Sequence, residues 1–268
     1  MSFVAERERG QAAARAARVR LGLGLEAPLS DAVVVVEDLG GTPVTVLELP
    51  SGLAGLQGRK YDRSFIFVNG VDVPARQRFT LAHEFGHVDL GHAGSVDYVR
   101  DVFGDGGGGR ARPPAEVQAD WFAAEFLAPL TGVRRWLEAV GEPPDDLETV
   151  VRLADYFHVS AEVALYRLQA ARRLGRGKVE PLKAQIVEAR HTSLARRLGL
   201  GEFEDTLTRA HGRLPRFPRA TLTHGAQAYE RGLLSVGQVA RLLEVGPDVI
   251  EAEFARRGVR AGSHESDY

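Results

Sequence analysis

The residues best suited to chemistry stand between Thr80 and His92, in the order T-L-A-H-E-F-G-H-V-D-L-G-H. His83 and His87 flank Glu84 in an H-E-x-x-H string. Positions i and i+4 of a helix share a face, so both imidazoles can point at one ion. Two imidazoles so placed suit zinc, and a glutamate between them can reach a zinc-bound water. The bland alternative is a surface helix with two solvated histidines. With eight histidines in the chain, chance gives the string in roughly two of a hundred sequences of this composition, so the flanking residues must decide.

A catalytic zinc needs a third protein ligand and an open position. His92 is one candidate. An H-E-x-x-H-x-x-G-x-x-H site would need glycine at position 90 and histidine at 93. The chain has Leu90, Gly91 and His92, one residue short. That spacing fails and leaves His92 as a helix-end or rim residue. The second candidate is Glu116, in Glu116-Val-Gln-Ala-Asp120. Glu116 and Asp120 share a helical face, the E-x-x-x-D arrangement of zinc peptidases whose third ligand is glutamate. Glu116 would bind zinc, and Asp120 would accept a hydrogen bond from a ligand histidine and fix its tautomer. Asp89 is expected in solvent. Glu125 lies too far along its helix to share an ion easily with Glu116.

The elements that must position these residues are legible in outline. Residues 3–21, rich in Ala and Arg, predict an amphipathic helix ended by Gly22 and Gly24. Ser30 is expected to cap a second helix running to Leu39, with a strand as the alternative that the four valines Val33–Val36 allow. Thr42–Leu49, Leu53–Lys60 and Ser64–Asn69 read as short strands, with Val44 and Val46 on one face and Asn69-Gly70 as a turn. Pro74 then starts the motif helix. Gly106 to Gly109, inside Asp101–Pro114, mark a flexible loop and a candidate lid. Residues 114–128 form a helix stopped by Pro129. Trp136, Leu137 and Val140 suggest a short helix. Leu147–Phe157 and Ser160–Leu174, joined at His158-Val159, look like a helix-turn-helix. A basic stretch from Arg172 to Arg219 and a last helical unit follow, with Ser235 and Gln238 as a capping box. The expected class is α+β: a small antiparallel three-stranded sheet with a zincin-like helix pair, then an all-helical C-terminal region. The expected domains are 1–130, 131–175 and 176–268.

At 268 residues and a net charge of −2, the chain has no global field that argues for nucleic acid. It contains no cysteine, which removes thiolate zinc sites, disulfides and cysteine nucleophiles. The charged N-terminal twenty residues have no apolar core of a secretory signal, and the run Val33–Val36 is far too short for a membrane span. A soluble cytoplasmic protein is expected.

Taken together, Arg76-Gln-Arg-Phe-Thr-Leu-Ala-His-Glu-Phe-Gly-His87, the preceding Phe65-Ile-Phe-Val-Asn69 and the following Glu116-x-x-Ala-Asp-x-Phe-Ala-Ala-Glu-Phe-Leu-Ala-Pro129 resemble the ImmA/IrrE family of zinc metallopeptidases. The resemblance covers roughly residues 1–130. Val159–Leu168 also resembles the helix-turn-helix-like unit that often follows the peptidase part. Two departures stand out. Ala128 replaces the usual methionine before the proline, and residues 176–268 do not resemble the sensor-like domain of the radiation-response members. The resemblance implies a gluzincin-like fold. It also implies a helix-turn-helix repressor as substrate, whose cleavage switches on stress or mobile-element genes.

The chemistry expected of these residues is peptide hydrolysis. His83, His87 and Glu116 hold zinc, and Glu84 is the general base that passes its proton to the leaving amine. The oxyanion donor is open between His92, Tyr98, His158 and Tyr166. Two rival readings stand beside this one. In the first, the helix-turn-helix and the basic segment bind DNA and the metal site is not catalytic. In the second, residues 131–268 dock a partner protein such as the substrate or an antitoxin.

Overall fold

The structure, a computed structural model, describes residues 3–98, 112–141, 143–201, 216–243 and 245–260. Its central element is the motif helix α3 (Pro74–Leu90), numbered in chain order after α1 (Phe3–Arg20) and α2 (Ala32–Val34). Pro74 sits where a helix has no use for an N–H, and Gly91 closes the helix at φ 70°, a left-handed conformation that glycine adopts without a Cβ penalty. Nearly every residue from Pro74 to His87 is buried. The reason is that α3 lies between two layers, the sheet on one side and α1 with α4 (Pro114–Leu127) on the other.

The three expected strands are β1 (Val44–Leu47), β2 (Leu53–Lys60) and β3 (Arg63–Asn69), and β4 (Ser95–Tyr98) joins them. The order is β1-β3-β2-β4. β2 pairs antiparallel with both β3 and β4. β1 pairs parallel with β3, Val44 opposite Ile66. The sheet is therefore mixed. The chain runs up β1 and down β2, and the tight turn at Tyr61 and Asp62 (φ 49° and 60°) sends β3 up into the space between them. Val44, Val46, Ile66 and Val68 form its buried face.

The cap of α2 is Asp31, not Ser30. Its Oδ1 accepts from the backbone N–H groups of Val33 (2.9 Å) and Val34 (3.1 Å). The helix has only three α-helical residues before it widens into a π-helical turn, Val35–Leu39. Ser30 instead offers its carbonyl to Arg78 of α3 at 3.3 Å. Arg78 also donates to the carbonyls of Leu29 (2.7 Å) and His158 (3.0 Å). One buried guanidinium thus satisfies three carbonyls that no helix or strand partner would cover.

Beyond α4 come α5 (Leu130–Val140), α6 (Leu147–Phe157), α7 (Ala161–Ala170), α8 (Arg176–Val187) and α9 (Arg190–Arg197). Asp146 caps α6 through Thr149 N–H at 2.9 Å, and Ser160 caps α7 through Val163 N–H at 3.2 Å. The apolar faces of α6, α7 and α8 continue the core begun by α1, α3 and α4. Phe122 and Phe126 belong to one cluster with Leu153, Phe157, Leu165, Leu168, Val179 and Leu182. The positions expected as boundaries, 130 and 175, fall inside this packed unit, which runs to Arg216. Residues 217–268 are a second unit. Among its described residues, helices Arg219–Glu230, Val236–Leu242 and Pro247–Arg257 close over Phe217, Leu222, Ile250 and Phe254. The Ser235–Gln238 capping box is formed. Among the described residues no helix is long and apolar enough to cross a membrane.

Candidate metal centre

Helix α3 presents His83 and His87 one turn apart, and α4 crosses them with Glu116 in its first turn. A carboxylate is well placed there, because the N-terminus of a helix carries partial positive charge. Nε2 of His83 lies 3.0 Å from Nε2 of His87. Glu116 reaches both, Oε2 at 3.5 Å from His83 and Oε1 at 3.5 Å from His87. All three ligand atoms lie within 4.8 Å of one another.

Asp120, one turn beyond Glu116, places Oδ1 2.9 Å from Nδ1 of His83. Its other oxygen pairs with Arg112. A carboxylate at that distance holds the proton on Nδ1 and leaves the Nε2 lone pair facing the cluster. His87 is pushed down to about 3, first by burial and then by the imidazole of His83, against the opposing pull of Glu116. An imidazole kept neutral is one able to donate to a metal. Two neutral ring nitrogens and a carboxylate in such proximity repel unless a cation lies among them. Two histidines and one glutamate are also a donor set that zinc takes in hydrolytic sites. The residues fit the ion.

Glu84 is fully buried. The Cβ that Gly55 of β2 lacks would lie 2.5 Å from Cγ2 of Thr80 and 3.5 Å from Cγ of Glu84. The strand therefore runs close over the motif because position 55 carries no side chain. Asp89, expected in solvent, pairs with Arg20 of α1. Glu125 is buried, 2.5 Å from Arg167 of α7 and 3.5 Å from Arg15. It ties helices together.

The candidate oxyanion donors separate. His158 caps the C-terminus of α6 at φ 55° and lines a cavity with His191 and Arg196 that none of the three cluster residues lines. Tyr166 meets Lys183, whose Nζ is 3.4 Å from the phenol oxygen. The ring of Tyr98 and the glycine loop at 101–111 lie outside the described residues. His92, expected at the helix end, is there, and it also contacts His87: the two Nδ1 atoms are 2.9 Å apart. Its Nε2 is 3.0 Å from Oε1 of Gln118, and Gln118 donates through Nε2 to Glu6 of α1. Sequence reasoning missed this chain. Its one local signal is Gly91, whose left-handed turn brings the N–H of His92 back onto the carbonyl of His87 (2.9 Å).

A buried H-E-x-x-H helix against a second helix that supplies glutamate is an arrangement able to hold a metal ion. Comparison with known proteins narrows the reading. Residues 40–169 match the family described as the IrrE N-terminal-like domain. The chain is 35% identical over 107 residues to the radiation response metalloprotease IrrE of Deinococcus radiodurans, covering 40% of this chain and 31% of that protein. It is 31% identical over 159 residues to the protein of the same name from Deinococcus deserti, covering 59% and 53%. The chain is thus homologous, at family level, to the ImmA/IrrE zinc metalloproteases. It spans from about a third to about half the length of these curated relatives.

Proposed function

We propose that this chain is a zinc-dependent endopeptidase of the cytoplasm that cleaves a helix-turn-helix transcriptional repressor and so releases stress or mobile-element genes. The observation that carries the catalytic part is the meeting of His83, His87 and Glu116, with ligand atoms within 4.8 Å and Glu84 buried on the same helix. The repressor part is supported by the resemblance of the linked motifs to the ImmA/IrrE family.

In this reading His83, His87 and Glu116 hold the metal and Asp120 orients His83. Bound zinc supplies Lewis acidity, polarising the scissile carbonyl and bringing the pKa of water towards about 7. Glu84 does the proton work: it takes the proton of the attacking water and returns it to the leaving amine. Its burial favours that role, since a desolvated carboxylate is a stronger base than a hydrated one. Direct DNA reading by α7 loses support, because Arg167, a cation on that helix, is fully buried against Glu125.

Metal analysis tests the site itself. The purified full chain should hold one zinc per molecule, and His83→Ala and Glu116→Ala should each lose it while staying folded. A wild-type chain that binds no zinc at micromolar concentration overturns the reading.

A further inference from the structure

We infer that His92 is a positioning residue for the metal centre, and that Glu6 of the N-terminal helix sets the tautomer of His87 through Gln118 and His92. The inference rests on the reading of His83, His87 and Glu116 as metal ligands.

The direction of every link follows from the chemistry of its ends. Gln118 donates through its amide nitrogen to the carboxylate of Glu6. An amide whose nitrogen is committed on one side presents its oxygen on the other, and that oxygen faces Nε2 of His92 at 3.0 Å. An amide oxygen only accepts, so Nε2 of His92 carries the proton. A neutral imidazole with its proton on Nε2 has a lone pair on Nδ1. That lone pair faces Nδ1 of His87 at 2.9 Å, so His87 must donate there. A neutral His87 with its proton on Nδ1 turns a bare Nε2 towards Nε2 of His83 and Glu116. From Glu6 to His87 every donor faces an acceptor; the bare Nε2 atoms of His87 and His83 and the Glu116 carboxylate, all acceptors, then face one another where a cation would lie.

Burial keeps water from substituting for these partners. His87, Gln118 and Glu6 are buried, and His92 is half-buried at the end of α3. The two ligand histidines are therefore oriented by different means. His83 is backed directly by the carboxylate of Asp120, which Arg112 steadies. His87 is backed by a neutral imidazole and an amide, with the carboxylate two links further away. The last link comes from α1, which lies before the stretch 40–169 that matches the family. The N-terminal helix is thus part of the metal centre.

The test uses the full chain and two readouts other than activity. In metal-free protein, long-range 15N–1H spectra report the tautomer of each imidazole. Wild type should show His87 protonated on Nδ1, and His92→Phe should lose that preference. Zinc affinity, measured by competition with a chelating dye, should weaken about 10–100-fold in His92→Phe. His92→Asn, which restores an acceptor near the position of Nδ1, should recover most of the affinity. Gln118→Leu should weaken zinc binding in the same sense, and it serves as the check if His92→Phe does not fold. If wild type binds zinc but His92→Phe and Gln118→Leu bind it as tightly, the relay is wrong and the metal site stands. A wild-type His87 protonated on Nε2 overturns the inference as well.

Discussion

The packing of α1 on α4 gives a sharp prediction at Gly10. A Cβ built at Gly10 would lie 2.2 Å from the carbonyl oxygen of Gln118 and 3.0 Å from its carbonyl carbon. Both atoms are helix backbone, which cannot swing aside. Gly10→Ala therefore has two opposed effects. Alanine favours a helix over glycine by about 1 kcal/mol. The clash requires α1 to retreat by about 1 Å to reach ordinary contact. That retreat loosens Ala14 and Ala17 from the core and stretches the Glu6–Gln118 link. Overpacking of this kind costs about 1–3 kcal/mol, and a backbone obstacle belongs at the upper end. The clash wins, for a net loss of about 1–2 kcal/mol. In a unit of this size, thermal unfolding should fall by about 2–8 °C. Gly177 of α8 is the control, because a Cβ there meets nothing within 4 Å. Gly177→Ala should leave the melting temperature unchanged or raise it. Scanning calorimetry of the three proteins decides the matter. If Gly10→Ala is as stable as Gly177→Ala, the two helices do not meet at backbone contact.

Three further outcomes are expected. Arg167→Met leaves Glu125 buried without its 2.5 Å partner and should cost about 3–5 kcal/mol in urea unfolding, while adding Glu125→Met should recover much of that; a single variant as stable as wild type would show that Arg15 alone suffices. Asp120→Ala should weaken zinc binding about 10–100-fold by dye competition while leaving the fold intact, and an unchanged affinity would remove Asp120 from the site. In EDTA the chain should lose stability as pH falls from 7.5 to 5. His87 is held down to about 3, chiefly by burial, and His158 is lowered by burial and then by the Arg78 guanidinium. Below the ordinary histidine value of about 6.5 the unfolded chain binds protons that the folded chain refuses, so the sign is a loss. A urea midpoint that rises over that interval would contradict it.

Much of the candidate site could be read from residue order because its parts are local. His83, Glu84 and His87 occupy one helix turn, and Glu116 and Asp120 another, so helical spacing alone puts each set on one face. What joins them is the crossing of α3 and α4, and no periodicity encodes that. His92 shows the limit well. Its spacing excluded it as a ligand, which says nothing of whether a ligand would need it. Its ring reaches His87 because Gly91 turns the chain back on itself, and its partners Gln118 and Glu6 come from two other helices. The sheet divides the same way. Alternation in Val44–Leu47 told which side chains face inward, but strand order depends on which neighbour β3 displaces. The helices between residues 130 and 174 were visible by their apolar residues, whereas α8 and α9 lie inside what read only as a basic stretch. That α6, α7 and α8 share the core of the motif helix follows from what their apolar faces meet, which composition does not report.

The central claim is that Glu84 performs proton transfer at a zinc site built by His83, His87 and Glu116. Its most direct test compares wild type with Glu84→Gln, each first shown by metal analysis to hold zinc, on purified helix-turn-helix repressors, with products read by mass spectrometry. Wild type should cut a repressor at one defined peptide bond, and Glu84→Gln should keep its zinc while losing at least about 100-fold in rate, the lower range for removal of a general base. Cleavage by Glu84→Gln at the wild-type rate would contradict the account.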